Sequence, residues 1–187
     1  AQDSSIKVSG KILNNFSSNN YLNLANNKNL KTKLKKYIDE YGIGSGASPL
    51  ISGYSKAHEN LEKRITKLLG FESTLVSNSG YLTNVGLINA ISENEITIFQ
   101  DKGNHNSIIE SSRLSKTKLV RYKHLDYDDL EDKIQKIKSP TKIIFTDTVF
   151  SMTGEQADLL KISSIAKRHK ALLFIDDAHG FGVLREN

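Results

Sequence analysis

The chain has 187 residues, of which 37% are hydrophobic and 25% charged. That is enough for a domain with a real core and too ordinary a balance for a disordered chain. The absence of cysteine excludes a disulfide framework, a thiol nucleophile and a thiolate metal site. No apolar run approaches the roughly 20 residues that span a bilayer, and the opening AQDSSIKVSG lacks the basic-then-apolar order of a secretory leader, so the expectation is a cytoplasmic protein without a membrane segment. The net charge of +5 fits attraction to an acidic ligand such as a phosphorylated cofactor, coenzyme A or an acidic carrier protein. It fits equally lysines spread over solvated helix faces. No basic and aromatic residues interleave as in nucleic-acid binders.

Residues 1–27 are polar and rich in asparagine and read as an extended arm with a short strand or two. Lys28–Lys36 opens an amphipathic helix in which Leu30, Leu34, Ile38 and Tyr41 form the apolar stripe. His58–Leu69 is a second helix, with Leu61, Ile65 and Leu68 on one face and Gly70 as its terminator. Between them lies the glycine-rich run YGIGSGAS, whose length suggests that it lines something rather than merely connects.

From residue 74 onward, short apolar runs alternate with amphipathic stretches. Strands are predicted at Thr74–Ser77, Ile96–Gln100, Lys118–Tyr122, Lys142–Thr146 and Ala171–Ile175. Helices are predicted at Tyr81–Ile91, Asn106–Leu114, Tyr127–Ile137 and Leu159–His169, with Asn104 and Asp126 as N-caps. Such alternation dictates an α/β fold with a mostly parallel sheet flanked by helices. The expected division is an N-terminal arm and first helix over 1–44, then part of a large domain over 45–187. The chain stops just after DDAHGFG, at the carboxyl edge of the sheet, and reads as the first part of a longer protein.

Chemistry concentrates at that edge. Asp176, in FIDDAHGFG, is a carboxylate at the end of a buried strand, which is costly unless a cation or donor meets it. It is either a turn cap or the partner of a protonated heterocyclic nitrogen, with His179 donating to a nearby oxygen; an Asp-x-x-His metal site finds no further ligands close in sequence. His105, in GNHNS at a helix start, is either a packed histidine or a neutral ring stacked on an aromatic cofactor, because the helix dipole disfavours its cation there. Gly80 and Tyr81, in SNSGY, open a helix whose free N–H groups suit a phosphate. Ser151, after the strand KIIFTDT, reaches the same edge.

In this order and spacing, the segments FSSNNYLNL, YGIGSGAS, SGYSKAHENLE, SNSGYLTN, QDKGNHNSIIESSRLS, TVFSMTGEQADL and FIDDAHGFGVL resemble the α-oxoamine synthases, a branch of the aspartate-aminotransferase-like enzymes that use pyridoxal 5′-phosphate (PLP). The resemblance implies a fold type I large domain and a decarboxylative condensation of an amino acid with an acyl thioester on coenzyme A or an acyl carrier protein. It implies that Gly80 and Tyr81 hold the cofactor phosphate, that His105 stacks on the pyridine ring, and that Asp176 pairs with the ring nitrogen. His179 and Ser151 match residues around the phenolic oxygen, and Asn19 an asparagine near the substrate carboxylate. A homodimer follows by the same likeness, as does a Schiff-base lysine downstream of residue 187. Ser52-Gly53-Tyr54 favours the members that use alanine and a pimeloyl thioester in biotin synthesis over glycine acetyltransferases. A non-catalytic partner subunit keeping the fold without the lysine is the alternative of another class. The sequence departs from the family pattern at Asn23, Asn106, Thr153, Gln156 and Arg185.

Overall fold

A computed structural model describes residues 4–92, 95–115 and 117–184. They form two compact units that divide between Val76 and Ser77.

In the first unit, β1 (Ser5–Val8) and β2 (Lys11–Asn14) make an antiparallel hairpin. Helix α1 (Lys28–Tyr41) is capped by Asn27, whose side chain accepts from the Asn29 and Leu30 amides. Its apolar stripe is present but not covered: Leu30, Leu34 and Ile38 stay exposed among the described residues. Helix α2 (Lys56–Leu69) starts on a capping box in which Ser55 and His58 exchange bonds, and ends at Gly70 in the left-handed conformation. The segment Thr74–Ser77, predicted as a strand, is not one. It finds no ladder partner; instead the Val76 amide donates to Glu62 and the Thr74 hydroxyl bonds the Thr66 hydroxyl.

The second unit is built on four parallel strands: β3 (Ile96–Asp101), β4 (Lys118–Tyr122), β5 (Thr141–Asp147) and β6 (Leu172–Asp176). Their order is β4-β3-β5-β6. The other predicted strands and helices appear within a residue or two of their expected ends: α3 (Gly80–Ile91), α4 (Asn106–Leu114), α5 (Tyr127–Lys136) and α6 (Leu159–Arg168). Asp126 and Asp158 cap the last two through the Asp129 and Lys161 amides.

Strand β3 is buried on both faces, as an inner parallel strand must be. Pleating sends Ile96, Ile98, Ile143 and Phe145 to one side, where they meet Ile88 of α3 and Ile108 of α4. Phe99, Tyr122 and Ile144 go to the other, against Leu130 and Ile134 of α5 and Ile162 and Ile165 of α6. The chain passes from β3 to β4 on one side and returns to place β5 on the other side of β3. That reversal opens a crevice at the carboxyl ends of β3 and β5, the place where α/β sheets bind ligands. Among the described residues no helix is long and apolar enough to cross a membrane.

Candidate active site

A cavity of about 130 Å³ lies at this crevice, and Gly80, Tyr81, His105, Ser151, Asp176 and His179 all line it. The sheet therefore gathers six residues that sequence places on four separate segments. Asn19 lies in the first unit, where its side-chain oxygen accepts from the Tyr21 hydroxyl at 3.4 Å.

The floor of the cavity is a hydrogen-bonded chain. Asn84, buried on α3, donates one amide hydrogen to Asp176 Oδ2 at 2.9 Å and the other to Ser107 Oγ at 3.0 Å. Ser107 Oγ lies 2.8 Å from His105 Nδ1, which also accepts the Ser107 amide at 3.2 Å. A ring nitrogen that accepts an N–H carries no proton of its own, so the His105 ring places its hydrogen on Nε2. His105 is thus the N-cap of α4. The sequence had assigned that role to Asn104; its side chain is instead spent on the Phe145 carbonyl at 2.7 Å. The second Asp176 oxygen accepts the Ala178 amide at 3.1 Å, which fixes the carboxylate at the head of the turn.

That turn needs its glycines for different reasons. Gly182 has a positive φ of 72°. Gly180 is limited by space: a Cβ there would strike Asp177 Oδ1 and sit 2.7 Å from Thr148 Oγ1. Asp177 accepts from Thr148 Oγ1 at 2.5 Å and holds the turn against the end of β5.

Sequence reasoning missed Asn84, Ser107 and Asp147, all of which line the cavity. Asp147 ends β5 opposite Asp176 in the ladder. One of its oxygens accepts the His105 amide at 3.0 Å; the other is buried with no protein partner. Burial pushes the Asp147 carboxyl up to about 7, against the His105 N–H and with help from the charges of Asp176 and Asp101. It was signalled by the same pattern that marked Asp176, an acid closing an apolar strand in KIIFTD. Ser79 caps α3 through the Leu82 amide at 3.2 Å, and the Gly80 and Tyr81 amides precede the first intrahelical bond, leaving them for a ligand.

Set beside known proteins, residues 11–187 match the family model for aminotransferase class I and II. The 8-amino-7-oxononanoate synthase of Lysinibacillus sphaericus is 46% identical over 97% of this chain and 47% of its own length. That of Nitrosomonas eutropha strain C91 is 40% identical over 99% of this chain and 48% of its own. Among solved structures, a variant serine palmitoyltransferase from S. paucimobilis with a bound PLP–myriocin aldimine superposes with a TM-score of 0.87, at 23% identity, over 93% of this chain and 45% of that one. The chain spans about half the length of the curated relatives it matches. The motifs and the family match converge on one conclusion: the chain belongs to the aminotransferase class I and II family.

Proposed function

We propose that this chain supplies the PLP-binding part of an enzyme that condenses L-alanine with a pimeloyl thioester. The products are 8-amino-7-oxononanoate, carbon dioxide and the free carrier thiol, coenzyme A or an acyl carrier protein. The observation that carries the proposal is the meeting of Gly80, Tyr81, His105, Ser151, Asp176 and His179 around one cavity at the switch point of the sheet. The names of the relatives support the choice of reaction.

The residues present fit PLP. An anchored carboxylate suits a protonated ring nitrogen, the α3 amides suit a phosphate, and the unpartnered buried oxygen of Asp147 leaves hydrogen-bonding capacity for a bound group. Bound PLP supplies an electron sink for the charge left when a bond to the substrate α-carbon breaks. Asp176 holds a proton at the ring nitrogen, which gives the sink its strength, and Asn84 keeps the carboxylate aimed. His105 presents a flat face with its Nε2–H free to donate. Ser151 and His179 line the same cavity and would be the residues to hold a phenolic oxygen. Asn19 is proposed to meet the amino-acid carboxylate, and the whole enzyme to be a homodimer.

For the 187-residue polypeptide alone we propose little or no turnover. Its span of about half the relatives and the exposure of Leu172 and Ile175 on β6, at 55% and 44%, support this. The test is the intact full-length protein, incubated with PLP, reduced with borohydride and weighed, then assayed with alanine and with glycine. One reduced adduct per chain and preferential use of alanine with a pimeloyl thioester are expected. Preference for glycine and a short acyl thioester would move the assignment to glycine acetyltransferase, and no adduct would reject PLP catalysis.

A further inference from the structure

His124 lies outside the group lining the cavity, yet it touches both segments that deliver residues to it. Its Nδ1 meets Asp101 Oδ1 at 2.7 Å and its Nε2 meets Glu155 Oε2 at 2.7 Å. A ring nitrogen facing a carboxylate is a donor, and two such contacts describe an imidazolium. Three groups of this kind could suggest a metal, but both ring nitrogens are already committed to oxygens. No cluster with metal-binding geometry occurs among the described residues.

Each end of the clasp shapes a loop. Asp101, fully buried at the end of β3, also accepts the Gly103 amide at 2.6 Å and the Leu125 amide at 2.8 Å. It therefore folds the turn that presents His105. Gly103 is glycine for lack of room: a Cβ would lie 2.6 Å from the His124 ring. Glu155 belongs to the loop that leaves β5 and returns, closed by Ala157 N to the Thr148 carbonyl at 3.0 Å and by Phe150 N to the Glu155 carbonyl at 2.9 Å. Ser151 sits on this loop. Buried Phe150 beside it packs against the His124 ring in a T-shaped contact, 4.5 Å between centroids.

We propose that His124 is a positioning residue whose two charge-assisted bonds set the turn carrying His105 and the loop carrying Ser151 relative to one another. The inference rests on the reading of the cavity as the cofactor site, but the clasp can be tested without cofactor. The charged groups facing the ring are Asp101 from β3 and Glu155 from the loop, while neighbouring Lys123 turns toward Asp126 at 3.7 Å. Burial lowers the His124 pKa, and the bonds to Asp101 and Glu155 more than reverse this, so that it stands above the usual histidine value. The clasp therefore stays closed to a higher pH than an ordinary histidine would allow, and opens as pH rises through that raised pKa.

The experiment is hydrogen exchange on the full-length protein without added PLP. His124→Asn keeps a donor near the Nδ1 position and loses the reach to Glu155. Amides of 150–156 are expected to exchange roughly tenfold faster, as befits loss of a hydrogen bond to a charged group, with 101–105 changed less than about twofold. Glu155→Gln, a change at a half-exposed side chain that leaves His124 in place, is the second variant and is expected to loosen the same amides in the same direction. In the wild type, protection of 150–156 is expected to fall as pH rises through the raised His124 pKa, and in Glu155→Gln that step is expected to shrink. Unchanged exchange of 150–156 in Glu155→Gln would overturn the proposal, whatever His124→Asn does to folding. PLP affinity measured on the same variants separates the two claims. A loosened loop with unaltered affinity keeps the clasp and rejects the cofactor site, whereas an unaltered loop rejects the clasp alone.

Discussion

Asp147 and Asp176 close adjacent parallel strands at the same rung of the ladder, so two carboxyl groups share the rim of one cavity. Only Asp176 has donors on both oxygens, from Asn84 and the Ala178 amide. Asp147 has one, and burial, with the charge of Asp176 beside it, pushes its pKa up to about 7. An acid raised on folding contributes stability that is full below its unfolded pKa and is lost as pH rises through the folded value.

Asp147→Asn removes that dependence. Relative to wild type, the variant is expected to gain about 2 kcal/mol between pH 5.5 and pH 8.5, from roughly 1.4 kcal/mol per pH unit up to the folded pKa. The difference in Tm between the two proteins, followed over that range, checks it. A constant difference would mean that Asp147 is already ionised at the lower pH.

Asn84 is the junction between Asp176 and the Ser107–His105 pair. Asn84→Leu keeps the size and removes both donors. Leaving buried acceptors unmet costs about 1–3 kcal/mol in stability, and PLP affinity is expected to drop roughly tenfold because Asp176 is no longer aimed. Asn84→Ser, still able to donate once, is expected to fall between. Equilibrium titration with PLP and thermal melts separate the two effects.

Two glycines are expected to respond in opposite senses. Gly180→Ala forces a methyl group onto Asp177 and Thr148, an overpacking worth about 1–3 kcal/mol of destabilisation. Gly86, inside α3, has open space where a Cβ would go, and Gly86→Ala is expected to stabilise by about 0.5–1 kcal/mol. Paired melts of the two variants decide it, and a stabilised Gly180→Ala would contradict the turn described here.

In the core, Ile98 is fully buried between strands and helices. Ile98→Ala is expected to cost about 2–5 kcal/mol through lost burial and the cavity left behind. Exposed Leu160→Ala, by contrast, is expected to cost under about 0.5 kcal/mol. Urea unfolding of both provides the comparison.

What the sequence made legible was whatever is local. Apolar periodicity placed β3 to β6 and α3 to α6, because each element buries a face that its own spacing defines. The residues at strand ends came with them, since a parallel sheet delivers every carboxyl end to one edge. Asn84 escaped because its partners lie 23 and 92 residues away, a pairing set by strand order rather than by any motif. Thr74–Ser77 has strand composition, but a strand exists only where a neighbour completes its ladder. His105 displaced Asn104 as N-cap because the Phe145 carbonyl, 41 residues away, claims the Asn104 amide.

The most direct test of the central claim is the affinity of the full-length protein for PLP, measured by absorbance titration in wild type and in Asp176→Asn. Saturable binding at one PLP per chain is expected in the wild type, and at least a tenfold weaker complex in a variant whose melting temperature shows it folded. Equal affinity in the two proteins, or no saturable binding in the wild type, would contradict it.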